Sequence, residues 1–116
     1  MKEGTSVEIV PYTLGEIPML SLAGDFDRTA VPEFSERAEQ ALGTDGARLL
    51  LQLTDCSYID SGGIGCLLEL LQRVRNRGWV GLLGPNPDVL RLFEMVGLTL
   101  DPHFRIFAGL EQVVAD

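Results

Sequence analysis

The chain has 116 residues, of which 46% are hydrophobic and 22% charged, which is the composition of a folded globular protein of one domain. Its formal net charge of −8 and its isoelectric point near 4.5 argue against nucleic-acid binding and against docking on anionic membranes, because both need clusters of Lys and Arg. An acidic domain is instead attracted to basic surfaces on a partner.

Localisation signals and metal motifs are missing from the sequence. Residues 1–10 contain no apolar segment typical of a signal peptide, and no apolar run approaches the roughly 18 residues of a membrane-spanning helix. Cys56 and Cys66 form no CxxC motif and have no ligand partners nearby. We therefore expect a cytoplasmic protein with reduced thiols, no metal, no cofactor and no membrane insertion.

Two strands are predicted at the N-terminal end of the chain. Residues 7–10 alternate between apolar and polar side chains, and Pro11 is expected to end that strand. Residues 18–23 are a second strand that runs into a turn at residues 24–27, and the two strands are suited to pairing as a hairpin.

A helix and a central strand are predicted next. Apolar residues recur at helical spacing between Val31 and Leu42, with Thr29 as the expected N-cap and Gly43 as a stop signal. Residues 47–53 are a nearly continuous apolar run, which is typical of a central strand covered on both faces.

A second helix is predicted to follow a polar connection at residues 54–61. Its core side is formed by Ile64, Leu67, Leu68, Leu71 and Val74, and Gly78 is expected to end it. Its outward side is formed by Cys66, Glu69, Leu70 and Arg73. Cys66 and Leu70 would then make a small exposed apolar patch, which is a candidate contact site.

Residues 79–83 are a further buried strand candidate, and a third helix is predicted to begin at Asn86. Asn is a favoured N-cap, Pro87 suits the first helical position, and Gly97 suits a left-handed stop. Residues 104–107 are the last strand candidate, and residues 110–114 a last helical turn.

The alternation of helices and strands predicts an α/β fold. We expect a mostly parallel sheet of four to five strands with an N-terminal antiparallel strand and about four helices. The whole chain, residues 1–116, is expected to be a single domain with its core between about residues 7 and 114.

The most informative segment is residues 49–65, LLLQLTDCSYIDSGGIG, in which a serine follows a buried strand and a short loop at a helix start. The hydroxyl of Ser61 is placed to cap the free N–H groups of the helix, and a phosphate there would meet the same donors and the positive end of the helix dipole. Gly62 and Gly63 would leave the serine open to a kinase. A phosphoserine beside Asp55 and Asp60 would repel a partner packed over it. A plain structural N-cap is the alternative role for Ser61.

Catalytic signatures are absent from the sequence. No Gly-Lys-Ser/Thr follows the glycines at 62–65, and Ser61 does not lie in GxSxG. His103, the single histidine, has no identifiable partners and is expected in a loop or on the surface. Thr54 and Asp55 follow a central strand, where open α/β sheets often carry sites, although loop capping also accounts for them. The sequence therefore gives no support to a P-loop, to a hydrolase nucleophile at Ser61 or to a site built on His103.

Three segments together resemble the STAS domain family, the anti-sigma factor antagonists. They are residues 24–27 (GDFD), residues 49–55 and residues 59–65 (IDSGGIG), and the order of elements matches over nearly the whole chain. The resemblance implies a non-catalytic bacterial regulator of transcription that works by partner switching. Its partner would be an anti-sigma factor with serine kinase activity, which phosphorylates the residue matching Ser61, and a phosphatase would reset the cycle.

The resemblance also implies roles for individual residues. Asp60 would shape the switch loop, and the turn at residues 24–27 would lie beside it, with Asp27 as a partner contact. Gly62 departs from the family pattern, which often has Ser or Thr there, so a second phosphate acceptor is absent. The candidate partner-binding residues are Asp27, Thr54, Asp55, Asp60, Ser61, Gly62, Gly63, Cys66 and Leu70.

Two other functions stay open at this point. One is a STAS subunit of another assembly, such as a stress-sensing complex or a lipid-transport ABC complex. The other is a small α/β nucleotide-binding protein or enzyme, which would need an acid, base or nucleophile set that is not apparent. In either case no nucleic acid is expected as a partner, and the chain is expected to be a monomer or weak dimer.

Overall fold

The computed structural model describes residues 7–43 and 46–115 of the chain, with side chains up to residue 113. Six strands form one sheet: β1 (Val7–Leu14), β2 (Ile17–Phe26), β3 (Arg48–Gln52), β4 (Cys56–Ile59), β5 (Trp79–Leu83) and β6 (Phe104–Phe107). Four α-helices accompany them: α1 (Val31–Leu42), α2 (Ser61–Val74), α3 (Pro87–Met95) and α4 (Leu110–Ala115). The predicted α/β class is confirmed.

The sheet is mixed, with the strand order β1-β2-β3-β5-β6 and with β4 also paired to β2. β1 and β2 are antiparallel, and every other pairing is parallel. The carboxyl ends of the parallel strands therefore lie along one edge of the sheet, and their amino ends lie along the other.

The N-terminal hairpin is confirmed but is longer than predicted. β1 continues through Pro11, which lies opposite Leu20, as far as Leu14. Pro11 does not end the strand because β1 is at the edge of the sheet, where a missing N–H breaks no ladder hydrogen bond on the solvent side. Gly15, at φ 62°, makes the turn into β2.

The strand β4 was missed in the segment predicted as a polar connection. β2 has ten residues and is longer than either of its parallel neighbours. Its first half pairs with β3 at residues 19–21 and its second half pairs with β4 at residues 24–26. Leu53 and two polar turn residues, Thr54 and Asp55, separate β3 from β4, and the polar pair concealed the strand in the sequence pattern.

The core is divided by the sheet. Alternate residues of β3 face opposite ways, with Leu49 and Leu51 in the larger apolar cluster and Leu50 in the smaller one. Helices α1, α2 and α3 bury their apolar sides in the larger cluster, while α4 covers the smaller one with Val113. The fold thus has helices on both faces of a central sheet.

Helix starts follow local capping chemistry. Asn86 accepts a hydrogen bond from the Val89 N–H at 2.8 Å and caps α3 as predicted. The prediction of Thr29 as the N-cap of α1 is wrong, because Thr29 belongs to a 3-10 turn at Arg28–Ala30 that is capped by Asp27. That short turn connects β2 directly to α1.

The sequence also predicted the ends of the helices to within a few residues. Gly43 follows α1, and Gly97, at φ 82°, makes the left-handed stop after α3. α2 ends at Val74, a few residues before the predicted Gly78. A Cβ at Gly78 would lie 2.0 Å from the Ala47 carbonyl oxygen, so this glycine permits a close approach of two loops.

Candidate functional site

Ser61 is the first residue of α2 and follows β4 at the carboxyl edge of the sheet. Its side chain is exposed. Within the described part of the chain, the Ser61 and Gly62 N–H groups take part in no backbone hydrogen bond, as is usual for a first helical turn. A negative group at Ser61 would therefore meet free donors and the positive end of a 14-residue helix.

The N-cap of α2 is Asp60, so the prediction that the Ser61 hydroxyl caps this helix is wrong. Asp60 has an extended backbone, and its Oδ1 accepts from the Gly63 N–H at 3.1 Å. Asp is as good a cap as Ser and occupies the position immediately before the first helical residue. The Ser61 hydroxyl is consequently not needed for capping and is available on the surface.

Asp60 also joins the switch loop to the turn after β2. Its Oδ2 accepts from the Arg28 N–H at 3.2 Å, and its own N–H donates to the Phe26 carbonyl at 3.4 Å. Asp27 in turn holds the 3-10 turn, accepting from the Thr29 N–H at 3.0 Å and from its hydroxyl at 2.5 Å. The structure thus brings residues 24–28 and residues 59–63 together, as the resemblance implied.

The close approach of residues 24–28 to residues 59–63 requires glycine at positions 62 and 63. A Cβ at Gly63 would lie 2.6 Å from the Phe26 carbonyl oxygen, and one at Gly62 would lie 2.9 Å from the Arg28 Cα. Contacts this short force the backbone to shift, so a side chain at either position separates the two segments. The departure from Ser or Thr at position 62 therefore has a steric reason in this chain. Gly65, one helical turn on, has no such constraint.

A shallow groove of about 380 Å³ runs beside Ser61. It lies between the first turn of α2 and the 3-10 turn and start of α1. Its lining includes Arg28, Pro32, Gly65, Cys66 and Glu69. Arg28 and Pro32 were not among the predicted site residues, because a side chain that lies next to the site only through tertiary packing leaves no periodic signal.

Thr54 and Asp55 are exposed at the same carboxyl edge of the sheet, in the turn between β3 and β4. The Asp55 carbonyl accepts from the Gly24 N–H at 2.9 Å. Thr54 lies against Gly84, where an added Cβ would come within 2.7 Å of the Thr54 Oγ1. These contacts tie both residues to neighbouring loops, and no described hydrogen bond joins either of them to Ser61.

The predicted apolar patch of Cys66 and Leu70 is wrong. Both side chains are only 6% exposed, because α1 packs across this side of α2. Glu69 is exposed as predicted, and Arg73 is partly exposed and forms an ion pair with Glu39 of α1. Leu68, which was assigned to the core, is instead 44% exposed.

Burial changes the chemistry of both thiols. The pKa of Cys66 is raised above its ordinary value, mainly by burial and slightly by the Glu69 charge, against a hydrogen bond with Ser35. Burial likewise raises the pKa of Cys56, partly offset by hydrogen bonds with the Tyr58 and Phe26 backbone. Both thiols are therefore protonated and poorly nucleophilic at neutral pH.

In the described ranges no three His, Cys, Asp or Glu side chains are grouped so as to hold a metal ion. None of the helices described is long and apolar enough to cross a membrane.

Sequence comparison finds a matching family and curated relatives. The family profile described as "Mlab, STAS domain" matches residues 13–100. The anti-sigma-B factor antagonist of Listeria monocytogenes is 33% identical over 95 residues, covering 81% of this chain and 82% of the relative.

Solved structures share the fold over almost the whole chain. An anti-sigma factor antagonist from Mycobacterium paratuberculosis aligns with a TM-score of 0.81 at 15% identity, covering 95% of this chain and 92% of its own. The anti-sigma factor antagonist SpoIIAA in its unphosphorylated form aligns with a TM-score of 0.73 at 23% identity, covering 93% and 92%. The Bacillus cell fate determinant SpoIIAA in the phosphorylated form aligns with a TM-score of 0.69 at 22% identity, covering 94% and 96%.

Proposed function

This chain belongs to the STAS domain family, and on that premise we propose that it is an anti-sigma factor antagonist controlled by phosphorylation of Ser61. Unmodified, it binds an anti-sigma factor that is also a serine kinase, and phosphorylation at Ser61 releases the complex. A phosphatase restores the binding form. The protein acts by binding rather than by catalysis, which agrees with the name of its relative, an anti-sigma-B factor antagonist.

The observation that carries the proposal is the exposed Ser61 hydroxyl at the start of α2, freed from capping by Asp60. A kinase can reach such a hydroxyl without unfolding the helix. The two bonds of the Asp60 side chain to Gly63 and Arg28 hold the loop in place whether or not the serine is modified.

The phosphate acts on the partner rather than on the fold. It brings a charge of about −1.5 to −2 at neutral pH, which the free N–H groups and the dipole of α2 tolerate. A partner surface packed over Ser61 would have to bury that charge close to Asp60 and Asp27. An unpaired charge buried at an interface costs about 2–5 kcal/mol, which is enough to separate a complex of ordinary affinity.

The partner footprint we propose follows the carboxyl edge of the sheet. Asp27, Asp60 and Ser61 are its centre, with the half-buried Gly62 beside them. Gly63 is buried against Phe26 and lies beneath this surface. Thr54 and Asp55 lie further along the same edge. Cys66 lies in the wall of the groove and contributes little area, and Leu70 lies beneath α1.

The test uses purified wild type, Ser61→Asp, Ser61→Ala and Gln40→Glu with the anti-sigma factor of the source organism. Gln40 is exposed on α1, so Gln40→Glu adds one negative charge away from the site. We expect Ser61→Asp to weaken binding by about 2–5 kcal/mol, and Ser61→Ala and Gln40→Glu to bind as wild type does, measured by calorimetry. With ATP present, wild type should gain one phosphate at Ser61 and Ser61→Ala none.

Equal affinity of wild type and Ser61→Asp would overturn the switch, and full phosphorylation of Ser61→Ala would place the acceptor elsewhere. In a pull-down from lysate of the source organism, recovery of transporter or stress-complex subunits by all four proteins would favour the alternative of a STAS subunit in another assembly. The family profile that matches residues 13–100 carries a different name, Mlab, and this supports testing the alternative. Tight binding of a nucleotide at the start of α2 by the chain alone would instead favour the nucleotide-binding alternative.

A further inference from the structure

The basic residues of this acidic chain are concentrated in one recess. Four of the nine Lys and Arg residues of a molecule with net charge −8 line a single recess of about 620 Å³. They are Arg48, Arg75, Arg77 and Arg105. The same recess is lined by the single Trp and the single His of the chain, Trp79 and His103.

The recess lies at the amino ends of the parallel strands, on the opposite edge of the sheet from Ser61. Arg48 begins β3, Trp79 begins β5, and Arg105 is the second residue of β6. Arg75 and Arg77 come from the turn after α2. Three separate parts of the chain thus bring positive charge to one place.

Helix-dipole effects account for only part of this cluster. Cations are favoured at a helix C-terminus, and this explains Arg75 and Arg77 after α2. It does not explain Arg48 or Arg105, which lie on strands. The Arg105 guanidinium carbon lies 5.6 Å from the centre of the Trp79 ring, a cation–π contact that holds the side chain over the recess.

The described lining of the recess is strongly positive overall. It contains four arginines and no Asp or Glu side chain. Arg75 pairs at 2.8 Å with Asp101, which lies just outside, and Arg77 and Arg105 have further interactions of their own. An anion near the recess is attracted by the summed charge of all the groups around it. Each arginine side chain also carries five N–H donors, so it can bind a ligand while it keeps the contacts it already has.

His103 adds a polar wall to the recess. Its Nδ1 lies 3.0 Å from the Gly78 carbonyl oxygen, and because a carbonyl only accepts, Nδ1 carries the proton. The ring is thereby held in one orientation between the turn after α2 and the start of β6.

We propose that this recess is a binding site for a small phosphate-bearing molecule, with Arg48 and Arg77 as its principal ligands. Guanidinium groups bind phosphate oxygens in a two-pronged geometry, and converging arginines are the usual means of recognising them. The volume falls in the range of about 300–1,000 Å³ typical of small-molecule sites. The site is separate from the proposed Ser61 switch and does not depend on it.

The probe for the test is inorganic pyrophosphate, added to ¹⁵N-labelled protein and followed by NMR. We expect saturable shifts at the Gly78 and His103 amides and at the Trp79 indole, with none at Ser61 or Gly62. Affinity should fall as salt is raised, because the interaction is between charges open to solvent.

The variant Arg48→Gln/Arg77→Gln should bind pyrophosphate about tenfold more weakly or worse, since it loses charge-assisted hydrogen bonds. Both side chains are exposed, so the fold should be kept. The matched control Arg37→Gln/Arg91→Gln removes the same charge from α1 and α3 and should bind as wild type does.

Ser61→Asp should also leave pyrophosphate affinity unchanged, which keeps this test independent of the proposed switch. Three outcomes would overturn the site: no saturable shift, shifts centred on the start of α2, or equal weakening in the two double variants.

Discussion

At the scale of single residues, Asp60 organises the candidate site. Its two side-chain oxygens hold two different segments, one at the start of α2 through Gly63 and one at the 3-10 turn through Arg28. A single carboxylate therefore caps the helix, fixes the neighbouring turn and leaves the Ser61 hydroxyl uncommitted.

Replacing Asp60 by Ala should lower the free energy of unfolding by about 0.5–2 kcal/mol, the usual cost of losing an N-cap. Asp60→Asn is the matched control, because the amide oxygen keeps the cap and should retain most of the stability. Urea unfolding of the three proteins measures both effects. Equal losses in the two variants would mean that charge rather than capping stabilises the loop.

The glycines of the site make a second residue-scale prediction. Gly63→Ala should destabilise the fold, by about 1–3 kcal/mol on the scale of overpacking, because the new Cβ would meet the Phe26 carbonyl. Gly65→Ala, two residues on in the same helix, meets nothing and should stabilise by up to about 1 kcal/mol through helix propensity. Thermal unfolding compares them directly, and stabilisation of both would contradict the close packing of residues 26 and 63.

At the scale of elements, α2 is buried on two sides rather than one. The sheet covers Leu67 and Leu71, and α1 covers Cys66 and Leu70, so the exposed strip narrows to residues such as Leu68 and Glu69. Helical periodicity correctly placed the side that faces the sheet. The second buried side depends on which helix packs alongside, and that is a property of the tertiary fold.

Thiol reactivity tests this burial. In the native protein both Cys56 and Cys66 should react slowly with a disulfide reagent at pH 8, and both should react promptly in concentrated urea. An exposed patch at Cys66 would instead give one fast thiol in the native state. Cys66→Ala identifies which thiol gives any fast phase.

The burial of the two thiols also makes the stability of the fold depend on pH. Because burial raises the pKa of both thiols, the folded chain holds their protons more tightly than the unfolded chain does. Their contribution to stability is full below the unfolded thiol pKa of about 8.5 and is lost as the pH rises from there through the folded pKa. Urea unfolding from pH 7 to 10 should show this decline, and Cys56→Ala/Cys66→Ala should flatten it.

At the scale of the whole molecule, charge is divided between two edges of the sheet. The carboxyl edge carries Asp60 beside Ser61, Asp27 in the neighbouring turn and Asp55 further along, whereas the amino edge carries four of the nine basic residues. The net charge alone indicated an acidic protein attracted to a basic partner. The structure adds that the acids near Ser61 are well separated from the arginine recess.

Association with the partner should therefore be electrostatically assisted. We expect the association rate of wild type to fall as salt rises and the dissociation rate to change little, measured by stopped flow or surface plasmon resonance. Asp55→Asn should slow association slightly with no change in fold. A rate insensitive to salt would contradict an acidic docking edge.

Much of the fold was determined by local sequence signals. The strands β5 and β6, the Asn86 cap and the left-handed Gly97 lie where the sequence predicts them, because apolar runs, N-caps and glycine stops act over a few residues. The parallel sheet followed from the alternation of elements, and Ser61 at the start of a helix followed from its place after a loop.

The tertiary structure alone decided the features that depend on distant parts of the chain. β4 forms because the second half of the long β2 is free to pair with it. Pro11 is tolerated because β1 is at the edge of the sheet. The burial of Cys66 needs α1, and the need for glycine at position 62 comes from the backbone at residue 28, 34 positions earlier. Local patterns report propensity and periodicity, but contacts between segments far apart in sequence exist only once the chain has packed.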